Sequence, residues 1–144
     1  MAEAILNHKG KGQFIACSAG SHPSGSPRPE ALAQLASAGI STAGLRSKSW
    51  DEFAAPDAPH LDFVFTVCDN AANEACPYWP GQPMTAHWGI ADPAAAQGTP
   101  EEVARAFRDA FTVLDRRIGL FLSLPLSTLD ELAIKHEIDE IGRQ

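Results

Sequence analysis

Two of the three cysteines, Cys68 and Cys76, lie where thiol chemistry is possible. Cys68 directly follows a run of β-branched and aromatic residues that predicts a buried strand, and open α/β sheets bind ligands at the carboxyl ends of their strands. Cys76 comes eight positions later in a polar, proline-containing stretch. Such a loop can bring two Cα atoms within about 7 Å, the limit for a disulfide. The pair is therefore a candidate dithiol, although isolated cysteines more often simply pack as small apolar residues.

Asp92 is a candidate general acid. It precedes Pro93 and follows a short predicted strand at residues 84–88, which would place it at the carboxyl end of that strand. Proline restrains the preceding residue to an extended conformation, and this suits a carboxyl group held at the mouth of a pocket. The alternative is an ordinary turn-initiating Asp-Pro pair, which is common on protein surfaces. The residues alone favour this second interpretation, as they favour simple packing for the two cysteines.

Other polar and reactive residues are expected to have no chemical role. Arg46 and Lys48 could face an oxyanion, yet basic side chains in a polar connector are usually solvated. Cys17 lies within a predicted strand and is expected to be part of the core. No metal site is expected, because the histidines show no metal-ligand spacing at positions 8, 22, 60, 87 and 136.

The composition limits the classes of partner. A net charge of -7 with 11 scattered basic residues argues against a nucleic-acid surface, since phosphate backbones require clustered Lys and Arg. No apolar run approaches the roughly 20 residues that span a bilayer, and the first residues lack a signal-peptide pattern. Three cysteines without such a pattern indicate reduced or redox-active thiols rather than a disulfide framework. The sequence therefore predicts a cytoplasmic protein with no membrane and no nucleic-acid partner.

Length and hydrophobic periodicity predict one α/β domain over residues 1–144. Thr99 and Pro100 form a strong start signal for a long helix, and Ser127 is expected to cap the last one. The predicted elements are helix 1–7, strand 13–18, helix 30–38, helical turns 47–53, strand 61–67, strand 84–88, the long helix and a final helix ending at residue 141. This alternation is typical of a parallel sheet flanked by helices.

Five segments together resemble one protein family. They are Ser18-Ala-Gly-Ser-His-Pro23, Leu45-Arg-Ser-Lys-Ser-Trp-Asp-Glu-Phe53, Phe63-Val-Phe-Thr-Val-Cys-Asp-Asn-Ala71, Cys76-Pro77 and His87-Trp-Gly-Ile-Ala-Asp-Pro93. From Met1 to about Gly142 the chain is similar to thioredoxin-coupled arsenate reductases, which are built on the low-molecular-weight protein tyrosine phosphatase fold. The resemblance implies a three-layer α/β architecture, with a parallel sheet flanked by helices.

The resemblance also implies a role for each candidate residue. In that family a cysteine of an N-terminal C-x5-R-[ST] loop attacks arsenate, a second cysteine releases arsenite by forming a disulfide, and a third carries the disulfide to the surface. By position, Cys68 matches the second cysteine, Cys76 the third, and Asp92 the general acid. The implied function is arsenate reduction in arsenic detoxification. The implied substrate is arsenate or a phosphate-like oxyanion, with no bound cofactor and with reducing equivalents from thioredoxin or another thiol donor.

The sequence departs from the family at the catalytic loop. The family pattern places its first strand and its C-x5-R loop directly before the motif that begins here at Met1, and Cys17 cannot replace the nucleophile because position 23 is proline. We therefore expect an N-terminally truncated chain, inactive by itself, with a gap of about 4.8 Å where the first central strand would lie beside residues 13–18.

Two alternatives to a reductase stay open at this point. One is a non-catalytic binding or regulatory remnant, completed by a strand from a partner or by a swapped dimer. The other is a low-molecular-weight protein tyrosine phosphatase. The pair of Cys68 and Cys76 counts against the phosphatase, since phosphate hydrolysis needs no redox shuttle.

Overall fold

The computed structural model of the chain describes residues 1–68 and 79–144. In this part of the chain, two parallel strands are flanked by helices. The elements are α1 (Ala2–Lys9), α2 (Pro29–Ser37), β1 (Phe63–Cys68), β2 (Met84–Ile90), α3 (Pro100–Leu122) and α4 (Glu131–Ile141), with 3₁₀ turns at Trp50–Phe53 and Pro93–Ala95. The predicted class, an α/β protein with a parallel sheet and flanking helices, is confirmed.

The two strands run side by side, and they end at the same edge of the sheet. Phe63 pairs with Met84 and Cys68 pairs with Ile90, with a register shift between Thr66 and Cys68. Phe65 and Trp88 point into the core, where their rings stack at 4.1 Å between centroids. Successive side chains alternate between faces, so Thr66 and His87 lie on the opposite face and form a 2.7 Å hydrogen bond.

Phe121 of α3 lies at the centre of the core and is 1% exposed. Its ring contacts those of Phe14, Phe63, Phe65 and Trp88, at centroid distances from 5.0 to 6.1 Å. Buried residues of all four helices join the same cluster, including Ile5, Leu35 and Ile138. None of the helices in the described residues is long and apolar enough to cross a membrane.

Helix starts follow local capping signals. The hydroxyl oxygen of Thr99 accepts a hydrogen bond from the Glu102 amide at 3.2 Å, which confirms the predicted start of α3. The predicted Ser127 cap is wrong, because Asp130 caps α4 by accepting from the Ala133 amide at 2.8 Å. Backbone hydrogen bonds within residues 124–128 form a turn, so the helix cannot begin before this turn ends.

The strand predicted at residues 13–18 is also wrong. Residues 14–19 have no regular secondary structure, and only an isolated bridge joins Gly20 to Ser49. The side-chain amide of Asn7 donates to the Ala16 carbonyl and accepts from the Ala16 amide. A strand requires a neighbouring backbone, and in the described residues no strand lies beside this segment. Consequently Cys17, expected in the core, is exposed, and Ile15 is 94% exposed.

Candidate functional site

The structure brings Cys68 and Asp92 to one edge of the sheet. Cys68 is the last residue of β1 and is half-buried. Its pairing partner Ile90 is the last residue of β2, and Asp92 follows two positions later in an exposed position. Both candidates therefore lie at the carboxyl ends of adjacent parallel strands, the usual ligand edge of an open α/β sheet.

Asp92 is held by its own turn. It has the extended conformation that the following proline favours, with φ -70° and ψ 111°. One carboxylate oxygen accepts a hydrogen bond of 2.9 Å from the Ala94 amide and so caps the 3₁₀ turn Pro93–Ala95. The capping interaction fixes the direction of the carboxyl group at the end of β2.

Cys76 falls outside the described residues, so its role stays a prediction. The two described ends of that segment are both anchored to the fold. Cys68 ends the paired strand β1, and the ring of Trp79 packs edge-on against Trp50 at 6.3 Å between centroids. Trp50 belongs to the 3₁₀ turn Trp50–Phe53.

Lys48 is buried, contrary to the expectation that it would be solvated. The residue is 9% exposed, and its ammonium nitrogen lies 3.7 Å from a carboxylate oxygen of Glu3. Ser18 donates its hydroxyl to the same oxygen of Glu3. Lys48 and Ser18 border an open cavity of about 180 Å³. The cavity is lined by Ser18, Ala19, Gly20, Pro23, Arg46, Ser47 and Lys48.

Arg46 is exposed, as expected, and is paired with Glu52. The two guanidinium Nη atoms donate to the two carboxylate oxygens at 3.1 and 2.9 Å. The hydrogen bond from Arg46, followed by its charge, lowers the pKa of Glu52, and the hydrogen bond from Glu52 raises the pKa of Arg46. This bidentate pair reduces the capacity of Arg46 to bind an oxyanion.

Replacing Arg46 with glutamine is expected to raise the pKa of Glu52 toward its ordinary value of 4.5. Because the pKa is lowered in the fold, the stabilisation by this pair is present above pH 4.5 and is lost as the pH falls through the lowered value. A carboxyl titration by NMR measures the shift. Arg28→Gln is the control, because Arg28 pairs with Glu30 instead. An unchanged Glu52 pKa in Arg46→Gln would contradict the assignment.

Arg117 was not among the candidate residues that the sequence predicted. This residue lies in α3, is 6% exposed and donates to backbone carbonyl oxygens near the end of β2. The available signal was a charged residue between Leu114 and Ile118 on the apolar stripe of the helix.

Among the described residues, no three His, Cys, Asp or Glu side chains are close enough to share a metal ion.

Comparisons with known proteins give consistent matches. The sequence profile described as low molecular weight phosphotyrosine protein phosphatase matches residues 1–134. The chain is 35% identical over 93 residues to an arsenate reductase of Halalkalibacterium halodurans, covering 65% of this chain and 64% of that protein. It is 38% identical over 93 residues to an arsenate reductase of Bacillus subtilis, with the same coverage. The chain thus spans less than two thirds of the length of these curated relatives, at 64%.

Proposed function

The chain belongs to the low molecular weight phosphotyrosine protein phosphatase family, and from this premise we propose that it functions as an arsenate reductase. In this proposal Cys68 and Cys76 form the disulfide relay, and Asp92 is the general acid that protonates the leaving oxygen. The observation that carries the proposal is the position of Cys68, at the sheet edge where β2 also ends, eight residues before a second cysteine. The relatives named as arsenate reductases support it.

The relay supplies the two electrons that arsenate reduction needs. An attacking thiolate first forms a sulfur–arsenic bond, and protonation by Asp92 lets an oxygen leave as water. The Cys68 thiolate then attacks that sulfur, so a disulfide forms and the electron pair of the broken sulfur–arsenic bond stays on arsenic, which leaves as arsenite. Cys76 next attacks the sulfur of Cys68, which frees the first thiol and leaves a disulfide between Cys68 and Cys76. A thioredoxin-like dithiol reduces this disulfide.

The attacking thiol is proposed to be none of the three cysteines in these 144 residues. The family loop requires an arginine six positions after its cysteine, and the residues at those positions are Pro23, Glu74 and Gln82. Cys17 also lies in an exposed segment without regular structure. The 144-residue chain is therefore expected to take part in the relay but not to reduce arsenate by itself.

Two features favour a reductase over a phosphatase. Hydrolysis of a phosphate ester leaves the oxidation state of every atom unchanged, so it has no use for a second and a third thiol. The curated relatives are named for arsenate reduction. A relay that depends on a thioredoxin-like donor also requires a reducing compartment, and we therefore propose a cytoplasmic location.

The direct test is arsenite formation by the protein isolated from the cells that make it, compared with the 144-residue chain. With a thioredoxin-type reductant, the isolated protein is expected to convert arsenate to arsenite over many turnovers, and the chain alone is expected to produce none. Hydrolysis of an aryl phosphate without arsenite formation would favour the phosphatase. If neither activity is found, the chain is a binding or regulatory protein and the proposed function is wrong.

A further inference from the structure

Arg117 is a buried cation whose hydrogen-bond partners, among the described residues, are main-chain oxygens. Nη1 donates to the carbonyl oxygens of Trp88 at 2.8 Å and Gly89 at 3.2 Å. Nη2 donates to the main-chain oxygen of Gln144 at 3.1 Å, and Nε is buried with no hydrogen-bond partner in residues 1–68 and 79–144. Burial lowers the pKa of the guanidinium, because the charged form loses hydrating water. Burying a charge is costly, and among the described residues this guanidinium is directed at main-chain oxygens rather than at a carboxylate side chain, which points to a specific role for these contacts.

The two strand carbonyls that Arg117 binds lie at the register shift of the sheet. Thr66 pairs with His87 and Cys68 with Ile90, so Trp88 and Gly89 both lie opposite Val67. At such a bulge the extra residue lacks a partner in the ladder, and the strand bends. One nitrogen, Nη1, donates to both of these carbonyl oxygens, and Nη2 of the same planar group donates to a third main-chain oxygen, at Gln144. An ammonium group has one nitrogen and cannot reach all three oxygens with the same geometry.

The same stretch of β2 also contacts α4 and the residue that follows it. The indole nitrogen of Trp88 donates to the Ile138 carbonyl at 2.9 Å. Gly142 follows α4, and a Cβ atom there would lie 2.5 Å from the carbonyl oxygen of His87 and 2.8 Å from the Trp88 ring. The backbone at residues 87–89 is therefore enclosed by α3 and α4, and Arg117 is the charged group that fixes its last two carbonyls.

We infer that Arg117 is a positioning residue, which sets the direction in which β2 leaves the sheet and thereby the place of Asp92. The inference rests on the proposed function of Asp92. Only Ile90 and Ala91 separate the bulge from Asp92, and Asp92 is in turn fixed to the next residues by the Ala94 amide. A change in the direction of the β2 backbone at the bulge would therefore move the carboxyl group of Asp92.

The first test uses amide hydrogen exchange in the 144-residue chain. Arg117→Met is expected to speed exchange of the Ala94 amide about tenfold, the factor that a lost charged hydrogen bond represents. Arg117→Lys should give an intermediate increase in the exchange rate of this amide. If the methionine variant does not fold, the lysine variant is measured in its place. Arg116→Met, an exposed neighbour on the same helix, should change nothing. If stability falls in both Arg117 variants while exchange at residues 90–94 stays as in the unchanged chain, Arg117 is only structural.

The second test is a double-mutant cycle in the active reductase. Asp92→Asn should lower kcat about 100-fold, and Arg117→Met about tenfold with little change in KM. In the Asp92→Asn background, Arg117→Met should cause no further loss, because Arg117 acts through Asp92. Equal losses in both backgrounds would overturn the inference. If Asp92→Asn itself has no effect, the proposed role of Asp92 is wrong, and the exchange result then reports on the strand alone.

Discussion

In the active reductase isolated from the cells that make it, changing Cys76 to serine is expected to lower multiple-turnover arsenate reduction by at least about 10³-fold, the scale on which loss of an essential catalytic group acts. A hydroxyl group cannot form a disulfide, so the oxidised Cys68 would have no thiol to receive its bond and the reductant would have no surface disulfide to attack. Arsenite release over many cycles, with a thioredoxin-type reductant in excess, measures the effect. If the protein were instead a phosphatase, the same variant would keep its hydrolysis of an aryl phosphate, because that reaction uses no relay.

Cys17→Ser is the matched control for this variant. Cys17 is exposed, lies outside both strands and is not proposed to act, so arsenite formation should continue at the unchanged rate. If Cys76→Ser reduces arsenate at the unchanged rate, Cys76 is not part of the relay. Equal losses in the two serine variants would indicate that general thiol damage, rather than the relay, controls the rate.

Replacing Phe121 with alanine is expected to destabilise the fold by about 3 to 5 kcal/mol, the usual range for a buried phenylalanine. Phe121 is 1% exposed, and its ring is the common contact of the rings of Phe63, Phe65 and Trp88. The cavity left behind would lie under both strands, so they cannot move to fill it without disturbing their pairing. Urea denaturation measures the loss, which corresponds to a midpoint of thermal unfolding lower by about 10 °C.

Leu120→Ala tests the same helix at its exposed face. Leu120 is 37% exposed and adjoins Phe121, so its loss should cost less than about 1 kcal/mol. Similar losses from the two variants would show that the helix, rather than the packing of the Phe121 ring against the sheet, determines the stability of this region.

Local signals predicted the helices better than the strands. Thr99 and Pro100 define the start of α3, and the cap is local because the Thr99 side chain accepts from the Glu102 amide three residues later. The start of α4 was misplaced by three residues, because Ser127 and Asp130 are both good caps. Only the turn at residues 124–128 decides between them, and that turn depends on how the chain leaves α3.

The segment at residues 13–18 shows the limit of hydrophobic patterns. Its composition is that of a strand, but β-structure is a pairing between distant segments, and in the described residues the backbone of Ala16 is paired with the Asn7 side chain instead. The burial of Cys17 was predicted from that strand and was wrong for the same reason. Pattern analysis identifies which residues suit a strand, and it does not show whether a partner is present.

The candidate site could be predicted in part. Cys68 and Asp92 were placed correctly because each position follows from the end of one strand, and parallel strands share an edge. The burial of Lys48 and the bonds of Arg117 to the Trp88 and Gly89 carbonyls depend on contacts between segments far apart in the chain. A lysine in a polar connector and an arginine on a helix give no local sign of such contacts.

The most direct test of the proposed relay is to map the thiols of the 144-residue chain after mild oxidation. Glu74 lies between Cys68 and Cys76, so cleavage after glutamate separates them into two peptides that stay joined only by a disulfide. We predict that diamide links these two peptides, that Cys17 remains open to alkylation, and that thioredoxin restores both thiols. Recovery of Cys68 and Cys76 as unlinked thiols, or a link from either one to Cys17, would contradict it.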